Sequence, residues 1–128
     1  MAAAAGPRPK PGRLKKRSEF LAVAATNRRF ATPGLVLQAR PVPVDVEAQA
    51  GVRVGFTATK KVGNAVARNR ARRRLKAAVH DIFERGQDMA PRPSDLVLVA
   101  RQGTIDRPYP ELLTDLRKAL ARLGVVVP

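Results

Sequence analysis

One segment limits what this chain can fold into more than any other. Lys60–Lys76, KKVGNAVARNRARRRLK, holds eight Lys or Arg and no acid. Asn64 after Gly63 predicts a helix N-cap, because its side-chain oxygen can accept from a backbone N–H that the first turn leaves orphaned. From Ala65 to Arg85 there is no Gly or Pro, and the residues are mostly good helix formers. Ala71, Leu75, Ala78, Val79 and Ile82 recur at steps of three and four, so one apolar stripe runs down the helix. Arg70, Arg73 and Arg74 fall on the opposite side, with Arg72 and Lys76 on the flanks. The pattern predicts a packed amphipathic helix that displays a wall of guanidinium groups.

The flanking segments have the period of strands. Val52–Thr59 alternates cleanly: Val52, Val54, Phe56 and Ala58 share one face, and Arg53, Gly55, Thr57 and Thr59 the other. Asp95–Arg101, DLVLVAR, is a nearly continuous apolar run of the kind a central strand needs. Strand, basic helix and strand predict a β-α-β unit. Upstream, Ser18 is a candidate N-cap, with Glu19 in the first turn of a short helix through Phe20, Leu21, Val23 and Ala24. Arg28–Ala31 reads as a brief strand before a turn at Thr32-Pro33-Gly34. Leu35–Val42 is a second strand, ended by Pro41 and Pro43. Asp45–Gly51 reads as a polar connection, Gly86 as the stop of the basic helix, and Asp88–Ser94 as loop. A last helix from about Pro110 to Leu123 buries Leu112, Leu116, Ala119, Leu120 and Leu123 and stops at Gly124. The expected fold is α+β, a small mixed sheet of about four strands with three helices in the order α-β-β-β-α-β-α. One domain over 13–124 follows, with a disordered basic arm at 1–12 and a short tail at 125–128.

The balance of 25 basic against 10 acidic residues gives a net charge of +15 over 128 residues. Self-repulsion on that scale points to a polyanionic partner, nucleic acid before an anionic membrane surface. Arginine suits phosphate because its planar fork makes two parallel charge-assisted bonds. The helix N-terminus adds free N–H groups beside Lys60, Lys61 and Arg68. By helical projection Arg68 lies near the stripe, where it braces the helix start or reaches past it. The absence of cysteine removes disulfides, thiolate metal sites and a cysteine nucleophile. No run approaches the roughly 20 apolar residues of a membrane span, and a cytoplasmic location is expected. His80 is the only histidine and has no acid–base partner for nuclease chemistry, so it reads as a surface residue. Asp45, Glu47, Asp88 and Asp95 are scattered and read as solubilising or capping acids. Phe56 reads as core, and Phe20 as core or cleft wall.

Phe56-Thr57-Ala58-Thr59-Lys60-Lys61-Val62-Gly63-Asn64-Ala65-Val66, continuing into Arg68-Asn69-Arg70-Ala71-Arg72-Arg73, resembles the protein subunit of bacterial ribonuclease P. Arg13-Leu14-Lys15-Lys16 with Glu19-Phe20 occupies the family's expected upstream place, and the resemblance runs over about residues 13–123. It implies the fold of the second domain of ribosomal protein S5, with a left-handed β-α-β crossover against the general rule. It also implies a protein that binds a catalytic RNA and the 5′ leader of precursor tRNA, while the RNA removes the leader with Mg2+. Carried over, the RNA-binding residues are Lys60, Lys61, Asn64, Arg68, Asn69, Arg70, Arg72, Arg73, Arg74 and Lys76. A leader cleft between the first helix and the sheet would use Arg13, Lys15, Lys16, Phe20, Gln38, Thr57 and Thr59. No catalytic residue is expected in the protein, nor a tightly held metal, and one monomer is expected per ribonuclease P RNA. The chain departs from the family at Ala24 and Gln38, where aromatics are common, so weaker base stacking is expected. The competing readings are a small structural ribosomal protein and a DNA-binding regulator. The regulator is disfavoured because strands, not a helix-turn-helix, flank the basic helix.

Overall fold

Residues 11–41, 52–85, 90–91 and 94–127 are described in a computed structural model. The order is β1 (Gly12–Arg13), α1 (Arg17–Ala25), β2 (Arg29–Ala31), β3 (Leu35–Pro41), β4 (Val52–Thr57), α2 (Ala65–Arg85), β5 (Ala90–Pro91), β6 (Ser94–Ala100), α3 (Gln102–Asp106), α4 (Tyr109–Arg122) and β7 (Val126–Val127). Five strands form one mixed sheet ordered β1-β4-β6-β3-β2, and β5 pairs with β7 apart from it. The α+β class is as expected, but the sheet is larger than four strands. β1, β5 and β7 have two residues each and α3 has five, too few for periodicity to reveal them. Residues assigned to the arm, the 88–94 loop and the tail thus supply short strands. Residues 1–10, Asp45–Gly51, Gly86 and Asp88 lie outside the described residues.

β6 lies at the centre, parallel to β4 and antiparallel to β3. Burial on both faces explains its unbroken apolar run: of its seven residues only Val99 is less than buried. α2 makes the crossover from β4 to β6. Ala71, Leu75, Ala78, Val79 and Ile82 are all buried, as the stripe predicts, and Phe83 joins them. α4 packs beside α2 through Leu112, Leu116, Ala119 and Leu120, each 0 % exposed. Together with Leu35, Leu37, Val54, Leu96 and Leu98, these residues make the main core on one side of the sheet.

α1 covers the opposite face over a much smaller cluster, Leu14, Val23 and Val97, with Phe20 and Val99 packed against it. Phe20 sits over Gly55, where an added Cβ would lie 2.5 Å from its ring; that approach requires glycine. The helix begins at Arg17, with Lys16 rather than Ser18 at the N-cap. The Glu19 carboxylate sets this start by accepting from the Lys15 and Lys16 N–H groups, both at 2.9 Å. The Thr26 hydroxyl donates to the Val23 carbonyl at 2.8 Å and lies 3.1 Å from the Ala39 carbonyl, which anchors the far end of α1 on β3.

Asp95 corrects a second expectation. It is buried rather than a solubilising edge acid, and Arg53 grips it through Nε and Nη2 at 2.9 and 2.8 Å. Arg53 also donates to Glu19 at 2.9 Å, so one guanidinium joins β4, β6 and the start of α1. The pairing is a matter of register, since Arg53 lies opposite Asp95 in the ladder.

Candidate nucleic-acid interface

The basic helix starts as its sequence requires. Asn64 Oδ1 accepts from the Ala67 N–H at 2.9 Å, and Gly63 has φ +144°, a conformation that suits glycine. Arg68 braces this start by donating from Nη1 to the Gly63 carbonyl at 3.1 Å. Lys60 and Lys61 are exposed in the turn before it. Over 21 residues α2 extends about 32 Å, enough to pass several phosphates. Asn69, Arg70, Arg73 and Lys76 are exposed along it, and Arg72 is half-buried with its Nη1 3.0 Å from Asn69 Oδ1. Val66, Asn69, Arg72, Arg73 and Lys76 line a shallow groove on this surface.

Arg74 departs from the expected wall. Its guanidinium turns inward to donate to the Arg107 carbonyl after α3, and its Nε is buried. By helical projection Arg74 lies about 85° from the centre of the stripe, on its flank rather than opposite it, and the residue after α3 meets it there. The open wall is therefore Asn69, Arg70, Arg72, Arg73 and Lys76.

The candidate cleft lies on the α1 face. In the sheet register Thr57, Val99 and Val36 form one row, and Gly55, Val97 and Gln38 the next. α1 crosses the second row, with Phe20 on Gly55 and Val23 packed with Val97. The first row stays half-buried beyond the helix. Phe20, Gln38 and Thr57 are thus brought together at one surface. Thr59 lies exposed past the strand end, where its hydroxyl accepts from the Lys61 N–H at 3.3 Å. Lys15 and Lys16 are exposed at the start of α1, and Ala24 is exposed on it. Arg40, which the sequence reading missed, shares this face by the same alternation and lies 3.9 Å from Asp95.

Arg13 does not join this cleft. Strand alternation in β1 turns it to the α2 side, where its guanidinium carbon is 5.6 Å from the centroid of the Phe56 ring. Phe56 itself is only half-buried at the margin of the main core.

At the start of α1, the two backbone N–H bonds from Lys16 and Lys15, reinforced by Arg53, hold the Glu19 carboxyl down from 4.5 to about 2. The Asp95 carboxylate, chiefly through its hydrogen bonds, holds the Arg53 guanidinium above its ordinary value. This network fixes α1 over the sheet. Among the described residues no group of three or more His, Cys, Asp or Glu could hold a metal ion. No described helix is long and apolar enough to cross a membrane.

A family model described as Ribonuclease P matches residues 9–124, which include the wall and the cleft. The chain belongs to this family. It is 51 % identical over 115 residues to the ribonuclease P protein component of Paramagnetospirillum magneticum, covering 89 % of this chain and 84 % of the relative. With that of Gluconacetobacter diazotrophicus it shares 50 % identity over 113 residues, covering 88 % and 91 %. Its fold is similar to the Staphylococcus aureus RNase P protein, with TM-score 0.69, 22 % identity and coverage of 92 % and 98 %. The RNase P protein from Thermotoga maritima aligns with TM-score 0.64, 24 % identity and coverage of 86 % and 96 %. A ribonuclease P protein is a subunit of the ribonucleoprotein endonuclease that processes tRNA 5′ ends, and this chain is one.

Proposed function

We propose that α2 docks on the ribonuclease P RNA through Asn69, Arg70, Arg72, Arg73 and Lys76, and that the α1 face takes the single-stranded 5′ leader of precursor tRNA. The observation that carries this reading is the exposed side of α2 from Ala65 to His80, which carries no acid and is held rigid because its opposite side is buried against the sheet. An arginine surface fixed on a packed helix matches phosphates without first being ordered, which favours docking over loose attraction. Lys60, Lys61 and the N-terminus of α2 extend the positive surface. Arg68 contributes indirectly, by holding the turn that presents them. Arg74 holds α2 to the segment after α3.

On the other face, Phe20 offers a ring edge, Thr57 a hydroxyl and Gln38 an amide, beside the cationic Lys15 and Lys16. That set suits unpaired nucleotides, which present base edges and phosphates together. With Ala24 and Gln38 where an aromatic would stack, charge and hydrogen bonds carry more of the leader affinity. Gln38→Tyr adds a stacking surface worth about 1–3 kcal/mol per base. It should tighten binding of long-leader substrates and leave leaderless tRNA unchanged; equal affinities for both would count against the cleft.

The cleavage chemistry belongs to the RNA, with magnesium held there and one protein monomer per RNA. The test is reconstitution: the purified protein, ribonuclease P RNA and precursor tRNA at low magnesium should give stimulated 5′ cleavage. Unchanged cleavage with the protein copurifying on ribosomes would refute the proposal.

A further inference from the structure

The α2 side of the sheet holds a second recess, between the β1 edge and α2, which shares only Lys76 with the wall and nothing with the cleft. It has a volume of about 200 Å3 and includes Arg13, Phe56, Lys76, His80 and Glu84 in its lining. Phe56 gives it an aromatic floor. The Arg13 guanidinium carbon is 5.6 Å from the ring centroid, and Lys76 Nζ is 6.0 Å from it. His80 and Glu84 follow Lys76 at four-residue steps, about 6 Å each along the helix. His80 Nε2 lies 3.6 Å from Glu84 Oε1 and its Nδ1 3.7 Å from Asp81 Oδ1. Asp81 is in turn engaged by the Tyr109 hydroxyl at 2.6 Å, which leaves Glu84 as the carboxylate in the lining. Charge therefore runs from positive to negative over about 12 Å of helix.

We propose that this recess binds one unpaired nucleotide of the ribonuclease P RNA. The nucleotide's phosphate sits at Arg13 and Lys76, its base lies over Phe56, and the base edge faces Glu84. The inference rests on the reading of α2 as the RNA-docking helix. Two features support it. The recess's charge gradient fits only one orientation, because Glu84 repels a phosphate and accepts from an amino group. Guanine offers N1–H and N2–H together, and adenine and cytosine an amino group, whereas the single N3–H of uracil is flanked by two acceptor oxygens that face the carboxylate, so uracil is disfavoured.

The second feature is continuity. Lys76 lines both this recess and the groove formed by Val66, Asn69, Arg72 and Arg73. An RNA lying along the wall therefore delivers its next phosphate to Lys76. The sheet separates the recess from the α1 face, so the leader is not the occupant.

The chain has no cysteine, so His80→Cys creates a single thiol at an exposed position. Labelled with an azidophenacyl photocrosslinker and assembled with ribonuclease P RNA and precursor tRNA, it should crosslink to one or two adjacent unpaired nucleotides of the catalytic RNA, none of them uracil. Crosslinks to the leader, to paired or scattered nucleotides, or to uracil would overturn the proposal, as would none at all.

In parallel, Phe56→Leu and Arg13→Gln should each lower affinity for the catalytic RNA roughly tenfold, the scale of one lost stacking or phosphate contact. Arg13 is exposed, so its variant gives a reading free of core damage. Wild-type affinity in Arg13→Gln, with weakened binding in Arg73→Ala, would overturn the recess and leave the docking helix standing. Wild-type affinity in both would overturn the docking helix as well.

Discussion

The two faces of the sheet are filled to different depths. Beneath α2 and α4, the strands' inward residues join a continuous core that holds Leu75, Ile82, Leu96, Leu112 and Leu116. Beneath α1, three buried side chains suffice, and Thr57, Val99 and Val36 stay half-buried. The deep side fixes the orientation of the arginine wall. The shallow side keeps a row of strand residues within reach of a ligand, and holds its helix in place by polar contacts at Glu19, Arg53, Asp95 and Thr26. Rigidity and access are assigned to opposite faces of one five-stranded layer.

The strongest way to break this contrast is in the deep core. Leu75→Ala removes a side chain that is 0 % exposed and should cost about 2–5 kcal/mol, read as a fall in denaturation midpoint. Val23→Ala on the shallow side should cost clearly less, because fewer neighbours lose contact. Equal losses would mean that the two faces are not energetically distinct.

Gly55→Ala probes the seam between α1 and the sheet. Its new methyl meets the Phe20 ring, so α1 or the ring must shift, at about 1–3 kcal/mol. Leader-dependent affinity should fall while binding to the catalytic RNA holds, measured with long-leader and leaderless tRNA. Loss of both would show that α1 also positions the wall.

Arg70→Ala and Arg73→Ala should leave the denaturation midpoint within about 0.5 kcal/mol of the parent, since both side chains are exposed. Each should weaken RNA binding and flatten its dependence on salt by about one unit of slope. A stability loss matching Leu75→Ala would remove these residues from the wall.

The gentlest probe is acid. Because folding lowers the Glu19 pKa from 4.5 to about 2, its contribution is complete above the ordinary value and is lost as pH falls from 4.5 towards 2. Protection of the amides at the start of α1, measured relative to their slower intrinsic exchange in acid, should fall across that window before that of α2 does. Simultaneous loosening of both helices would blur the contrast.

Much of the deep side was legible in the sequence. The cap at Asn64, the stripe through Leu75 and Ile82 and the apolar run of β6 are local patterns, and each emerged where periodicity put it. Contacts made by distant segments were not legible. Asp95 looked solubilising because its partner Arg53 is 42 residues away, joined to it only by strand register. Arg13 was expected beside Lys15 and Lys16, but two residues of β1 turn it to the other face. Arg74 was expected opposite the stripe but lies on its flank, and nothing in Gln102–Asp106 announces the helix whose end it meets. The recess at Phe56 did leave one sequence signal, the four-residue spacing of Lys76, His80 and Glu84. Its other half, Arg13, is brought there by the pairing of β1 with β4.

The place of β6 also has a consequence for biosynthesis. β3 and β4 each pair with β6 and not with each other, although β6 begins only at Ser94. Until that segment leaves the ribosome, the emerging chain has no central strand to unite them and the stripe of α2 has no finished surface to lie on. Such late, long-range closure slows folding and prolongs exposure of apolar edges. For most of its synthesis the polypeptide is a growing polycation beside ribosomal RNA, and its shape-selective surface is completed near the end of translation. Chains stopped before Ser94 would keep the attraction for RNA without the rigid display that makes it selective.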